Sequence, residues 1–272
     1  MKRRRNEETD NRKHVGCLVR NPSDLELLKI QTLDLSPQRG SVAGLYGFVI
    51  ACTGSEEELW IGSEVPAGLA GALAAAQGDA LPRTDPADPP STLEVCELLL
   101  SAGGCSLRRD AGPSYLIESD SRFTSGARVE RSDLSSTDSL RASNPGNWEP
   151  IEWDELLDGC LGPWAMATAG DRIISICHTP RPMTDTAAEC GVWTDPDFRG
   201  RGHAAAVTSE WAAILRPSGR YLFYSTSAEN LSSRRVAGRL SLHLLGWIWR
   251  VGQVRNEPDD GVHPLSELRR QA

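Results

Sequence analysis

Apolar residues recur along this chain at two spacings. Short apolar or alternating runs bounded by Gly, Pro, Asp or Ser predict strands. They cover His14–Arg20, Leu45–Cys52, Glu58–Gly62, Ser114–Glu118, Ala127–Arg131, Pro163–Thr168, Arg172–His178, Ala187–Thr194, Tyr221–Thr226 and Trp247–Val251. Apolar positions three and four apart predict helices over Leu69–Ala76, Leu93–Ser101 and Pro150–Leu157. Two more run up to Leu215 and onward from about Asn230. Ser91 or Thr92 suits an N-cap, with Glu94 in the first turn behind it. Residues 133–142 are mostly polar and only weakly helical.

The order of these elements predicts an α/β (α+β) chain in parts: a solvated tail over 1–14, a compact α/β half over 15–120, and a second unit over 124–272. The Ser/Asp/Arg-rich stretch Glu118–Ser125 links the two, and the first half carries no chemical motif. That half is expected to be structural or to shape an acceptor site. The basic start Lys2–Arg5 has no apolar run behind it, which argues against a secretory signal. No stretch is apolar for long enough to span a membrane.

The net charge of −8 argues against a nucleic-acid or anionic-membrane surface and favours cationic partners. Seven scattered cysteines without a Cys-x-x-Cys pair suit buried thiols in a reducing cytoplasm. Five histidines without ligand spacing give no metal site. A homodimer is compatible with this composition.

The stretch that organises the rest is Val192–Ala205: a strand, a turn at Pro196, a loop with Gly200 and Gly202, and the start of a helix. Val207, Trp211, Ile214 and Leu215 lie on one face of that helix. A glycine loop entering a helix N-terminus presents backbone N–H groups beside the positive end of the dipole, which suits phosphate. The glycines alone fit an ordinary strand–turn–helix corner equally well. No Gly-x-Gly-x-x-Gly and no Gly-Lys-Ser/Thr follows, so neither a dinucleotide fingerprint nor a P-loop is present.

The wider pattern, Val192-x-Thr194-x-Pro196 followed by Arg199-Gly-Arg-Gly-His-Ala204, resembles the acetyl-coenzyme A loop of the GNAT acetyltransferase superfamily. Tyr224–Asn230 with Ser233, Val236 and Ala237 resembles that family's second coenzyme-side motif. The likeness spans about 124–255 and extends to a bacterial subgroup with an N-terminal extension. It implies a mixed, mostly antiparallel sheet flanked by helices, acetyl-coenzyme A as cofactor, and a coenzyme lying in a V between the strands ending at Thr194 and starting at Tyr221. It implies pantetheine on the backbone of Val192, Trp193 and Thr194. The pyrophosphate would sit on Arg199, Gly200, Arg201, Gly202, His203 and Ala204, with Asn230 and Ser233 at the pantetheine end. A solvated surface role for Arg201 is nearly as well supported.

Glu189, a carboxylate in an otherwise apolar strand, is the candidate base, directly or through water; the alternative is a strand-face Glu paired with an arginine. Many family members carry a tyrosine seven residues after the motif Asn, whereas this chain has Ala237. Tyr224, Ser227 or water could supply that proton instead. For the acceptor, Trp148, Glu149, Glu152, Trp153 and Glu155 combine carboxylates with aromatic faces, suiting an amino-sugar or polycation. The same acids also fit a solvated helix N-terminus. Trp193 and Trp211 read as core.

The expectation is an acetyl-coenzyme A-dependent N-acetyltransferase acting on a primary amine of a small molecule. Its leading candidate is an amino-sugar or aminoglycoside antibiotic, inactivated by acetylation. A protein or peptide N-acetyltransferase and a non-catalytic acyl-coenzyme A-binding module are the rivals.

Overall fold

The computed structural model describes residues 21–254 apart from 37–39, 43–45, 79–84, 103 and 119–120. The expected tail over 1–14 and strand over 14–20 lie outside the described residues. Two sheets form the frame. The smaller has the order β4 (Arg128–Arg131), β5 (Trp164–Ala169), β6 (Arg172–His178), β8 (Gly191–Thr194), antiparallel throughout. The larger runs β2 (Glu57–Ile61), β1 (Phe48–Cys52), β10 (His243–Gln253), β3 (Leu107–Leu116), β9 (Tyr221–Ser225), β7 (Ala187–Glu189). Only its β7–β9 pair is parallel. The expected mixed, mostly antiparallel sheet with flanking helices is therefore present.

Both faces of each sheet are covered, which explains why central strands read as continuous apolar runs. Residues 173–177 of β6 are all buried. On one side of the small sheet lies α6 (His203–Leu215), whose Val207, Trp211 and Leu215 pack against Ala165, Ile174 and Cys177. Its other side meets α4 (Asp138–Arg141) and α5 (Pro150–Leu157), with Trp148, Trp153, Trp164 and Ile176 in the core between them. The larger sheet is covered by α2 (Ala67–Ala76) and α3 (Ser91–Ser101) over Phe48, Ile50, Trp247 and Trp249.

Against its opposite face lies α1 (Asp24–Lys29), continued by one π-helical stretch, Ile30–Asp34. The sequence patterns above omit this helix, although its start carries a signal. Ser23 Oγ accepts from Glu26 N, and Glu26 Oε2 accepts from Ser23 N, a reciprocal capping box. Leu27 and Leu28 then anchor it beside Val49, Phe223 and Ile248.

The strands on either side of residue 120 share one sheet. β10 lies between β1 and β3, and β3 lies between β10 and β9. Each half thus contributes its last strand to the other, and the register of β3 with β10 runs from Leu107↔Gln253 to Leu116↔His243. Pairing also explains why β3 begins at Leu107, well before the apolar stretch around Ser114. Arg108, Arg109 and Asp110 carry little strand signal, but their backbones are held by Gly252, Val251 and Arg250. At Gly112 a Cβ would lie 1.9 Å from the Thr226 carbonyl, because the chain leaving β9 crosses β3 there.

Candidate functional site

Residues 187–194 form two strands rather than one. β7 runs parallel to β9, and Cys190 N still donates to Phe223 O at 3.0 Å. From Gly191 the chain turns to β6, and among the described strands β8 pairs with β6 only. The sheets therefore part at Cys190 and leave a wedge between β8 and β9. The next backbone bond, Asp195 N to Ile174 O at 3.0 Å, continues the Trp193↔Ile176 pairing. Antiparallel alternation then turns the backbone groups of Val192 and Thr194 away from β6, toward the wedge.

A cleft of about 320 Å³ occupies this wedge, with Val192, Thr194 and Tyr224 at one end and the glycine loop at the other. The loop is built locally. Asp195 Oδ1 accepts from Asp197 N at 2.9 Å and caps the turn Pro196–Phe198. Gly200 and Gly202 follow at φ 78° and 88°, in the left-handed region that favours glycine. At Gly202 a Cβ would also come within 2.9 Å of the Phe123 ring. α6 starts at the next residue, so its first-turn N–H groups open at the cleft.

Three arginines line this end, Arg199 on the loop and Arg235 and Arg239 on α7 (Leu231–Arg239); Arg201, also on the loop, is not among the cleft-lining residues. Arg199 Nε donates to Thr194 O at 3.2 Å, and Arg239 Nη2 to Gly200 O at 3.0 Å. Arg201 lies over the Phe198 ring at 5.1 Å. In a chain of net charge −8, a cationic mouth around a helix N-terminus has the chemistry that suits an anion. His203 adds no charge: burial, then Arg201, lowers its pKa, and its Nδ1 lies 3.1 Å from Ser125 Oγ. Arg235 and Arg239 are absent from the sequence expectations, although their spacing of four after Asn230 puts both on one helix face.

At the apex of the wedge, Glu189 is buried and points to the sheet face opposite α6 and α7. Its Oε1 accepts from Gln31 Nε2 at 3.0 Å and from Ser225 Oγ. Oε2 lies 3.6 Å from Arg181 Nη1. An arginine faces the carboxylate, as one alternative of the sequence reading has it, and neutral donors hold its other oxygen. Gln31, Arg181 and Ser114 were not among the expected site residues.

Tyr224 is buried and lines the cleft, with its hydroxyl donating to Ser233 O at 3.3 Å. Burial raises its pKa, so the phenol keeps its proton. Ser227 lies in the turn beyond β9, where its carbonyl accepts from Asn230 N, and is not among the cleft-lining residues. Asn230 Oδ1 caps α7 by accepting from Ser233 N at 3.0 Å; Ser233 itself lines the cleft. Ala237 is buried against the α6 core.

The structure does not gather the acceptor candidates at the cleft. Trp148 and Trp153 are buried together, and Trp148 meets Trp193 edge-on at 5.8 Å. Glu149 and Glu152 form the capping box of α5, while Glu155 is exposed. Trp211 is core, its Nε1 donating to Thr179 Oγ1 at 3.1 Å.

The family model for the acetyltransferase (GNAT) domain matches residues 108–243, half of the chain. The chain belongs to the GNAT acetyltransferase family. It is accordingly an acyltransferase, and acetyl transfer dependent on acyl-coenzyme A is the general reaction. GNAT enzymes use acetyl-coenzyme A and act on small-molecule or protein substrates. The matched span starts inside β3, so it includes a strand that the composition assigns to the first half.

Among solved structures, the chain is similar to a GNAT-family protein from Novosphingobium aromaticivorans DSM 12444 (21% identity, TM-score 0.43, 72% of this chain and 84% of that one). It is also similar to a GCN5-related N-acetyltransferase-like protein from Streptococcus suis 89/1591 (17%, 0.41, 76% and 83%). A GNAT-family acetyltransferase from Colwellia psychrerythraea gives 10%, 0.45, 85% and 96%. No curated protein matches the chain. Among the described residues, no helix is long and apolar enough to cross a membrane.

Proposed function

We propose that this GNAT enzyme binds acetyl-coenzyme A in the wedge between β8 and β9 and moves its acetyl group to a small-molecule amine using Glu189. The observation that carries this reading is the cationic cleft beside the open edge of β8, with Glu189 one residue before the strands part and facing the opposite side of the sheet. The pyrophosphate fits the loop from Arg199 to Ala204, where helix N–H groups and guanidinium groups converge. Arg235 and Arg239 add to that charge from α7. The open edge of Val192 and Thr194 suits the amide-bearing pantetheine arm, which would add to β8 as a strand does. An N–H on that edge would also serve the oxyanion.

The acceptor approaches on the Glu189 side. An ammonium gives a proton to the Glu189 carboxylate, directly or through water, and its nitrogen gains the lone pair needed for attack. A C–N bond forms at the thioester carbonyl, the C–S bond breaks, the thiolate leaves, and the new amide nitrogen gives up its surplus proton to solvent. Tyr224, whose proton is held at the cleft, is the residue best situated to protonate that thiolate; bulk water suffices where it does not. Ser227 is not among the cleft-lining residues, which favours Tyr224 over it.

Our preferred acceptor is an amino-sugar or aminoglycoside-type antibiotic. This preference rests on the net charge of −8, which favours a cationic acceptor. Mass spectrometry on aminoglycosides, polyamines, amino acids and short peptides incubated with enzyme and acetyl-coenzyme A tests the reading. A single added acetyl group on an amino-sugar supports it, whereas acetylation confined to peptides replaces it with the protein-modifying alternative.

A further inference from the structure

The first half of the chain has no motif of its own, yet it sends one buried polar side chain to the apex of the wedge. Gln31, 2% exposed, stands on the π-helical stretch after α1. Its Nε2 donates to Glu189 Oε1 at 3.0 Å, and its Oε1 accepts from Ser114 Oγ on β3. Ser114 is fully buried. The three residues form a relay in which every hydrogen bond has one direction: Ser114 donates to Gln31, and Gln31 donates to Glu189.

Such a relay is a poor investment in stability alone. Burying a primary amide costs desolvation and side-chain entropy, and an apolar replacement of both partners can be neutral or stabilising. Its chemical effect is specific. A carboxylate oxygen that accepts hydrogen bonds from neutral donors has its charged form favoured and its plane fixed. Among the described residues, Arg181, from the segment between β6 and β7, brings a charge to Glu189. The π-helical stretch, β3 and β9 present the neutral Gln31, Ser114 and Ser225. Gln31 and Ser225 converge on Oε1, and Oε2 lies toward Arg181.

We infer that Gln31, oriented by Ser114, is a positioning residue that fixes the Glu189 carboxylate through Oε1 and favours its charged form. The contribution of the first half of the chain to the reaction is then chemical as well as architectural. This inference rests on Glu189 acting as the base, and the test separates the two.

Full-length protein carrying ¹³C-carboxyl glutamate is titrated by NMR, with the Glu189 signal assigned from its absence in Glu189→Gln. In Gln31→Met, which keeps the volume and removes both hydrogen bonds, the Glu189 midpoint should rise by about one pH unit. In Ser114→Ala it should rise less, because the donor to Glu189 remains but is no longer oriented. An unmoved midpoint in both variants overturns the inference. Should Gln31→Met fail to fold, Ser114→Ala, which removes one hydroxyl, decides alone. Unchanged turnover in Glu189→Gln would instead remove the base and leave the midpoint result standing as a statement about the carboxylate only.

Discussion

The two ends of the wedge are built in opposite ways. The cationic end comes from one continuous stretch, Thr194 to Ala204, joined by a single helix, α7. The Glu189 end assembles Gln31, Ser114, Glu189 and Ser225 from four separate elements, with Gln31 lying 158 positions from Glu189 along the chain. An anion site needs only N–H groups and cations at the surface, which one turn and one helix can supply. A buried carboxylate needs a water-free wall and satisfied oxygens, and only a completed sheet provides both. The cationic end should therefore tolerate side-chain changes in graded steps, and the Glu189 end should fail with the sheet.

Removing the first half gives the largest expected effect. A chain beginning at residue 121 lacks β3 and β1, the two partners of β10, and should show no cooperative thermal unfolding by circular dichroism. A folded fragment would mean that the second unit is self-sufficient, and the contrast drawn above would collapse.

Next in size is Glu189→Gln, which should lower turnover about 10²–10⁴-fold while coenzyme affinity, read by calorimetry, stays the same. A loss of coenzyme affinity would show that the two ends are energetically one site. Gly202→Val acts at the other end. Its left-handed φ and the 2.9 Å approach to Phe123 should cost about 1–2 kcal/mol in stability, with a fall in coenzyme affinity.

The double change Arg235→Ala and Arg239→Ala should weaken coenzyme binding by about three- to tenfold, and the deficit should shrink as salt rises. An unchanged dissociation constant would confine the anion site to the loop.

The smallest effect separates pH effects on folding from those on chemistry. His178 packs edge-on against Trp148 at 6.1 Å, and burial pushes its pKa from 6.5 down to about 4. Below pH 6.5 the unfolded chain binds a proton that the folded chain refuses, so stability falls as pH drops toward about 4 and levels off below it. The melting midpoint should fall across that window, and His178→Phe should flatten the slope. Any acidic limb in turnover that survives in His178→Phe then belongs to the chemistry.

The glycine loop, the strand into it and the helix after it were legible because each signal is local: Pro196 ends the strand, and Gly200 and Gly202 accept positive φ. Glu189 was legible as an acid in an apolar run, but its partners were not. Nothing in the spacing of Gln31 or Ser114 relates either residue to Glu189. The tryptophans of 148–153 misled for a related reason. Their pattern shows that an aromatic face exists, and only packing decides whether it meets solvent or, as here, Trp164 and Ile176.

By itself the sequence determined most of the element order, the family-like loop and the presence of an acid in an apolar strand, since these depend on backbone preferences and periodicity within a few residues. Tertiary structure alone decided that residues 187–194 break at Cys190. It also decided that β3 and β10 change halves and that Gln31 reaches Glu189. Those outcomes follow from which strand edges find partners when the chain closes on itself, and edge pairing is a property of the whole sheet rather than of any stretch within it.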